Sequence, residues 1–195
     1  MATPEASGQE PNAEPAAAAR PPLTALLPTG GLGVLVLAAG LALCVGSFAA
    51  FGLSTRAFIG AVLCPALILL AAIDAQHRLL PNTIVLPTTV AVAVILLAGA
   101  PSAFLPHLLA AVILGGFFFA FAVFVPGSVG MGDVKLGFLL GLALGSRTLA
   151  AAIYASAGLL VAALYILAMR GSSARKDVIP FGPFLAVGGI IAFFL

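Results

Sequence analysis

From residue 31 onward the chain is a series of apolar runs separated by short polar breaks, at 31–53, 57–73, 83–100, 107–125, 134–145, 148–169 and 178–195. A helix needs about 20 apolar residues, within a range of about 17–25, to cross a hydrocarbon core. All but one of the runs meet that length. The run 134–145 rises only ~18 Å at about 1.5 Å per residue, so it crosses only where other helices surround it. The pattern predicts an all-α, polytopic transmembrane helical bundle of about seven spans. Residues 1–29 are different: they are rich in Ala, Pro and Glu, with one Arg and no apolar periodicity. Such a composition buries too little surface to offset ordering and predicts a disordered tail, leaving 30–195 as the transmembrane domain. The start lacks a positive n-region and the first apolar run exceeds a signal h-region, so this first span is expected to stay uncleaved.

Composition strengthens that picture. Of 195 residues, 63% are hydrophobic and 7% charged, with no Trp, whereas a soluble domain carries roughly a quarter charged residues. The net charge of +2 is too small to suggest a nucleic-acid partner, and no basic cluster is interleaved with aromatics. Cys44 and Cys64 both fall inside apolar runs and form no Cys-x-x-Cys pair. A structural zinc site therefore has no ligands to build on, and both read as small buried hydrophobes. No metal or cofactor is expected.

Lys and Arg in short loops set orientation. With the tail in the cytoplasm, the inner side carries Arg20, Arg78, Lys135, Arg170, Arg175 and Lys176, and the outer side only Arg56 and Arg147. A re-entrant 134–145 run would move Arg170, Arg175 and Lys176 outside and erase the bias. The crossing arrangement also brings Asp74 and Asp133 to one face, the cytoplasmic one.

Those two acids carry the candidate chemistry. Only three acidic residues follow position 14. Asp177 sits beside Arg175 and Lys176 and reads as a solvated loop charge. Asp74 closes the run ending at Ile73, and Asp133 lies in Gly130-Met131-Gly132-Asp133-Val134-Lys135. Each has a plain role available. Asp74 can meet headgroups or pair with Arg78 along a helix face, before Pro81-Asn82 restarts the next helix. Asp133 can N-cap the run Val134 to Gly145, although Gly130 and Gly132, which allow the backbone to bend and approach closely, exceed what a cap needs. As a pair the acids point to aspartic peptide hydrolysis. Like charges about 3 Å apart cannot both ionise, so such a pair holds one proton, and the ionised partner deprotonates an attacking water. His77 and His107 are assigned to opposite faces, so a nucleophile–His–acid set does not assemble. A third feature, Ile179-Pro180-Phe181-Gly182-Pro183-Phe184, interrupts or loosens a helix. It suits a cavity lining and equally a stiff loop before a helix starting at Pro183. His107 is expected at the outer interface.

These segments resemble those of the type IV prepilin peptidases. Asp74-Ala75-Gln76-His77-Arg78-Leu79-Leu80-Pro81-Asn82 is similar to the first-aspartate motif, an Asp followed by a polar stretch and Pro-Asn. The Gly130–Lys135 segment resembles the Gly-x-Gly-Asp signature with Lys two residues after the acid, and Pro180-Phe181-Gly182-Pro183-Phe184 the segment near the carboxyl end. Presenilin-like and signal-peptide-peptidase-like enzymes share Gly-x-Gly-Asp but place the first acid in Tyr-Asp, where this chain has Ile73. The resemblance spans about residues 57–195 and implies a peptidase core there of six spans, preceded by one amino-terminal span. It implies a multi-pass aspartic endopeptidase of the bacterial plasma membrane. The expected substrates are prepilins or pseudopilins, cut at the cytoplasmic face to remove short basic leaders. Asp74 and Asp133 become the catalytic pair, with Gly130, Gly132, Lys135, Pro180, Gly182 and Pro183 binding substrate or shaping the site. Longer members have an amino-terminal domain with paired Cys-x-x-Cys motifs and methylate the new amino terminus; lacking those cysteines, this chain is expected to be a peptidase-only form. The competing class is a small membrane transporter or pilus or secretion assembly component that uses the acids as proton or ion sites.

Overall fold

The polar breaks between apolar runs become helix ends in the structure, a computed structural model that describes residues 22–125, 129–170 and 180–195. A one-turn helix, α1 (Leu23–Leu26), precedes the long helices α2 (Gly30–Phe51), α3 (Thr55–His77), α4 (Asn82–Gly99) and α5 (Pro101–Phe124). They are followed by α6 (Met131–Leu144), a 3-10 turn at Gly145–Arg147, α7 (Thr148–Arg170) and α8 (Gly182–Phe194). The described residues contain no strand.

Local chemistry explains these limits. Gly52 (φ 61°) ends α2, and the Ser54 side chain accepts a hydrogen bond from the Ala57 N–H at 3.3 Å to cap α3. Pro81 and Pro101 open α4 and α5, where a missing N–H costs nothing. Gly145 (φ 56°) turns the chain out of α6, and its pocket beside the His107 ring has no room for a side chain.

The all-α bundle is as the sequence predicts; its segmentation differs. Five stretches are long and apolar enough to cross a membrane: α2, α3, α4, α5 and Met131–Met169. The fifth contains two helices, broken at Gly145, of which α6 has 14 residues. Alone α6 rises only ~21 Å against a hydrocarbon core of ~30 Å. The run 178–195 also shortens. The helix begins only at Gly182 and has 13 residues, because the Pro180–Pro183 segment delays it. Arg20, Arg175, Lys176, Asp177 and Ile179 lie outside the described residues. Within 1–29, the described part includes α1, whose Leu26 is buried.

α3 is the most enclosed of the long helices. Its Leu63, Leu67, Leu70 and Ile73 are fully buried with Leu136, Leu139 and Leu140 of α6 and Leu185 of α8. Small residues permit this close approach. A Cβ on Gly141 would meet the Ala111 backbone at 2.3 Å, and one on Gly188 would meet the Ala151 carbonyl at 2.6 Å. The outer helices instead expose Leu35, Leu37, Val94, Ile113, Phe124 and Leu160, the apolar exterior expected of a bundle in lipid. The C-terminal end of α3 and the N-terminal ends of α6 and α8 carry the candidate residues.

Candidate active site

Asp74 lies in the last turn of α3, one turn before the helix stops. It stops at Arg78, whose left-handed backbone (φ 53°) lets its N–H bond the Asp74 carbonyl at 2.8 Å. A non-glycine residue adopts this conformation only at some cost, and the Leu79–Pro81 segment that follows starts from it. Arg78 thus closes the helix instead of extending the Asp74 face, although its charge still acts on Asp74.

Among the described residues Asp74 is the charged side chain that is buried, with 7% exposure. Its carboxylate accepts the backbone N–H of Gly182, at the first turn of α8. A helix N-terminus favours an anion there. Gly182 is sterically required: a Cβ would sit 2.5 Å from Asp74 Oδ2 and 2.9 Å from its Cγ. The third sequence segment therefore reaches the first aspartate through one glycine. Pro183 falls in the first turn of α8, where its fixed φ suits helix initiation, and Pro180 precedes that turn. The helix starts at Gly182, one residue before the expected Pro183.

Asp133 differs from the sequence expectation. It is the third residue of α6 and not its N-cap; the cap position belongs to Gly130, in extended backbone (φ −77°, ψ 151°). The carboxylate reaches back to accept the Gly130 N–H at 3.2 Å, the carboxylate half of a capping box. Neither Gly130 nor Gly132 has a positive φ. Gly132 is needed for close packing, since a Cβ would lie 2.8 Å from Leu80 Cβ. At Gly130 a Cβ would make only an ordinary contact, 3.5 Å from Asp133 Oδ2.

Asp74 and Asp133 line one cavity of about 700 Å³, together with Gly130, Gly132, Lys135 and residues 78–83. Each acid is near enough that the charge of Asp74 bears on Asp133. Lys135 Nζ donates to Asn82 Oδ1 at 2.8 Å, joining the second motif to the Pro-Asn end of the first. The remaining wall includes Pro22, Leu23 and Leu26, from α1 and the residue before it. His77 is exposed near the end of α3, while His107 bonds the Leu142 carbonyl through Nδ1 at 2.8 Å. No three His, Cys, Asp or Glu side chains gather as metal ligands among the described residues.

The sequence placed Leu80 and Asn82 within the first-aspartate motif but gave neither a role at the site, and it did not single out Leu26. Asn82 had a usable signal, as a polar side chain on the edge of an apolar run facing a chain with few polar partners. Leu80 and Leu26 had none, because an apolar residue in an apolar protein carries no mark of its neighbour.

Residues 61–167, which include Asp74, Asp133, Asn82 and Lys135, match the Type IV leader peptidase family. The chain belongs to that family. It is 35% identical over 147 residues to the prepilin leader peptidase/N-methyltransferase of Bacillus subtilis (strain 168), covering 73% of this chain and 58% of that protein. It is 33% identical over 177 residues to the protein of the same description from Burkholderia pseudomallei (strain 1026b), covering 86% and 56% of the two chains. The chain thus spans a little over half the length of these relatives. No solved structure matches it.

Proposed function

We propose that this protein is an aspartic endopeptidase of the bacterial plasma membrane that removes leader peptides from prepilins or pseudopilins at the cytoplasmic face. The observation that carries the reading is the opening of Asp74 and Asp133 into one cavity at the ends of α3 and α6. Family membership supports it, as do the names of the relatives.

In this reading one carboxyl is ionised and the other protonated. The ionised group takes a proton from water as the water attacks the scissile carbonyl, while the protonated group hydrogen-bonds the carbonyl oxygen. The Gly182 and Gly130 N–H groups orient the two carboxyls. Lys135 and Asn82 fix the separation of the segments that bear them. The exposed Met131 and the apolar α1 residues on the cavity wall offer a surface for the start of a hydrophobic substrate helix. The charge bias of the sequence, six Lys and Arg against two, supports putting the acids on the cytoplasmic side. It rests largely on Arg20, Arg170, Arg175 and Lys176, and the two cavities themselves carry two cations each.

A proton or ion carrier is expected to hold its acids near the midplane, often on broken helices. Asp74 and Asp133 lie at helix ends. The direct test is co-expression with a candidate prepilin, reading leader loss by the mobility and amino-terminal sequence of the pilin. Retention of the leader by every prepilin offered would overturn the proposal.

A further inference from the structure

A second cavity, of about 220 Å³, opens beside the start of α3. Arg56 is in the first turn of that helix and Asp74 is 18 residues further on, which at ~1.5 Å per residue separates them by about 27 Å. The cavity therefore lies near the opposite end of the bundle from the carboxylates. Its lining includes Arg56, Arg147, His107, Thr55 and Ser146.

Its polar chemistry is one-sided. The Arg56 guanidinium lies 3.9 Å from the centre of the Phe51 ring and donates through Nη2 to the Phe193 carbonyl. A ring face and a carbonyl hold the group in place, but neither supplies a negative charge, and a guanidinium has five N–H donors. Arg147 is exposed on the same cavity, close enough for its charge to act on Arg56. The His107 ring is fixed by its bond to the Leu142 carbonyl. The N-terminal ends of α3 and α5 meet the same space, and neither helix has an acidic residue in its first turn. Both described acids, Asp74 and Asp133, line the other cavity. Two cations held together with helix N-termini, and no carboxylate among the described lining residues, favour an anion with several acceptor oxygens.

We propose that this cavity binds a phosphate group, presented by the headgroup of an anionic phospholipid. The volume accommodates a phosphate with ordered water, at about 30 Å³ per water. Arginine forks match phosphate oxygens in a way that a bare ammonium does not. Leu53 and Phe58, which flank Arg56 in the chain, are exposed and provide apolar surface for the acyl chains of a lipid, which free phosphate has no use for. The site is independent of the cleavage reading and would stand without it.

The test uses the full chain in neutral detergent and measures its retention of phosphatidylglycerol, phosphatidylcholine or inorganic phosphate by native mass spectrometry and thermal shift. The expected result is retention of phosphatidylglycerol over phosphatidylcholine. Arg147→Gln should weaken this by about fivefold, and Arg147→Gln with Arg56→Gln by roughly 25-fold. Arg147→Lys should lose less than Arg147→Gln. Retention of phosphatidylcholine should be the same in all variants. Arg147 is exposed, so its variants carry the test if loss of the Arg56 contacts lowers the folded yield. An equal response to inorganic phosphate alone would retain the phosphate site but make its source a soluble anion. Equal retention of both lipids, or phosphatidylglycerol retention unchanged in Arg147→Gln, would overturn the proposal.

Discussion

Lys135 donates to Asn82 at 2.8 Å, and this bond ties the helix that begins beside Asp133 to the helix that begins after Asp74. The two residues are 53 positions apart in sequence, but Lys135 stands two residues beyond Asp133 and Asn82 eight beyond Asp74. The bond is thus placed to set how α6 sits against the start of α4, and with it the approach of Asp133 to Asp74. A misplacement of about 1 Å can lower a rate by around a hundredfold. Lys135→Met and Asn82→Ala should each reduce prepilin cleavage by about ten- to a hundredfold. If the two act through one bond, the double variant should lose little more than the worse single one. Rates of leader removal for the four forms, at equal membrane abundance, give the comparison; fully additive losses would mean separate roles.

The pair itself makes the sharpest demand. Asp74→Asn and Asp133→Asn keep size and hydrogen-bonding capacity but remove the ionisable group. Each should abolish leader removal while the protein remains in the membrane fraction. Near-normal processing by either variant would exclude that residue from the reaction.

Topology can be read independently of activity. Gln76, Ser102 and Ser146 are all exposed, at the acid end, the start of α5 and the 3-10 turn respectively. In a background without Cys44 and Cys64, Gln76→Cys should react with a membrane-impermeant thiol reagent only from the cytoplasmic side. Ser102→Cys and Ser146→Cys should react only from the outside. Labelling of Gln76→Cys and Ser146→Cys from the same side would contradict the placement of the two cavities at opposite faces.

The helices were legible because apolar runs and their Gly, Ser and Pro breaks are local properties of the chain. Asp74 and Asp133 were legible because a carboxylate is conspicuous where acids are scarce. What the sequence did not show is pairing across the bundle: that Lys135 seeks Asn82, that Leu80 presses on Gly132, and that α1 forms part of a cavity wall. Those facts depend on how helices pack, which periodicity does not encode. The helix limits near the site shifted for a related reason. Asp133 reads as an N-cap from its neighbours, yet its carboxylate has a better partner in the Gly130 N–H, which carries the helix start back to Met131.

Glycines at this site now separate into different kinds, and the difference can be measured. At Gly182 a methyl group would strike the Asp74 carboxyl at 2.5 Å. The side chain must then rotate away or α8 must withdraw, and both break the contact between the Gly182 N–H and Asp74. At Gly132 the obstacle is Leu80 at 2.8 Å, whose Cβ cannot rotate aside, so relief requires the start of α6 to shift. At Gly130 the nearest atom is 3.5 Å away and φ is −77°, which any residue adopts. Gly182→Ala should therefore lose most leader removal, Gly132→Ala should lose an intermediate share, and Gly130→Ala should stay within a few-fold of the parent. Fractional prepilin processing beside membrane abundance gives the order directly. If Gly130→Ala is the most damaging of the three, the glycine there serves the passage of substrate and not the packing of the resting site. If Gly182→Ala is fully active, the contact between α8 and Asp74 has no part in catalysis.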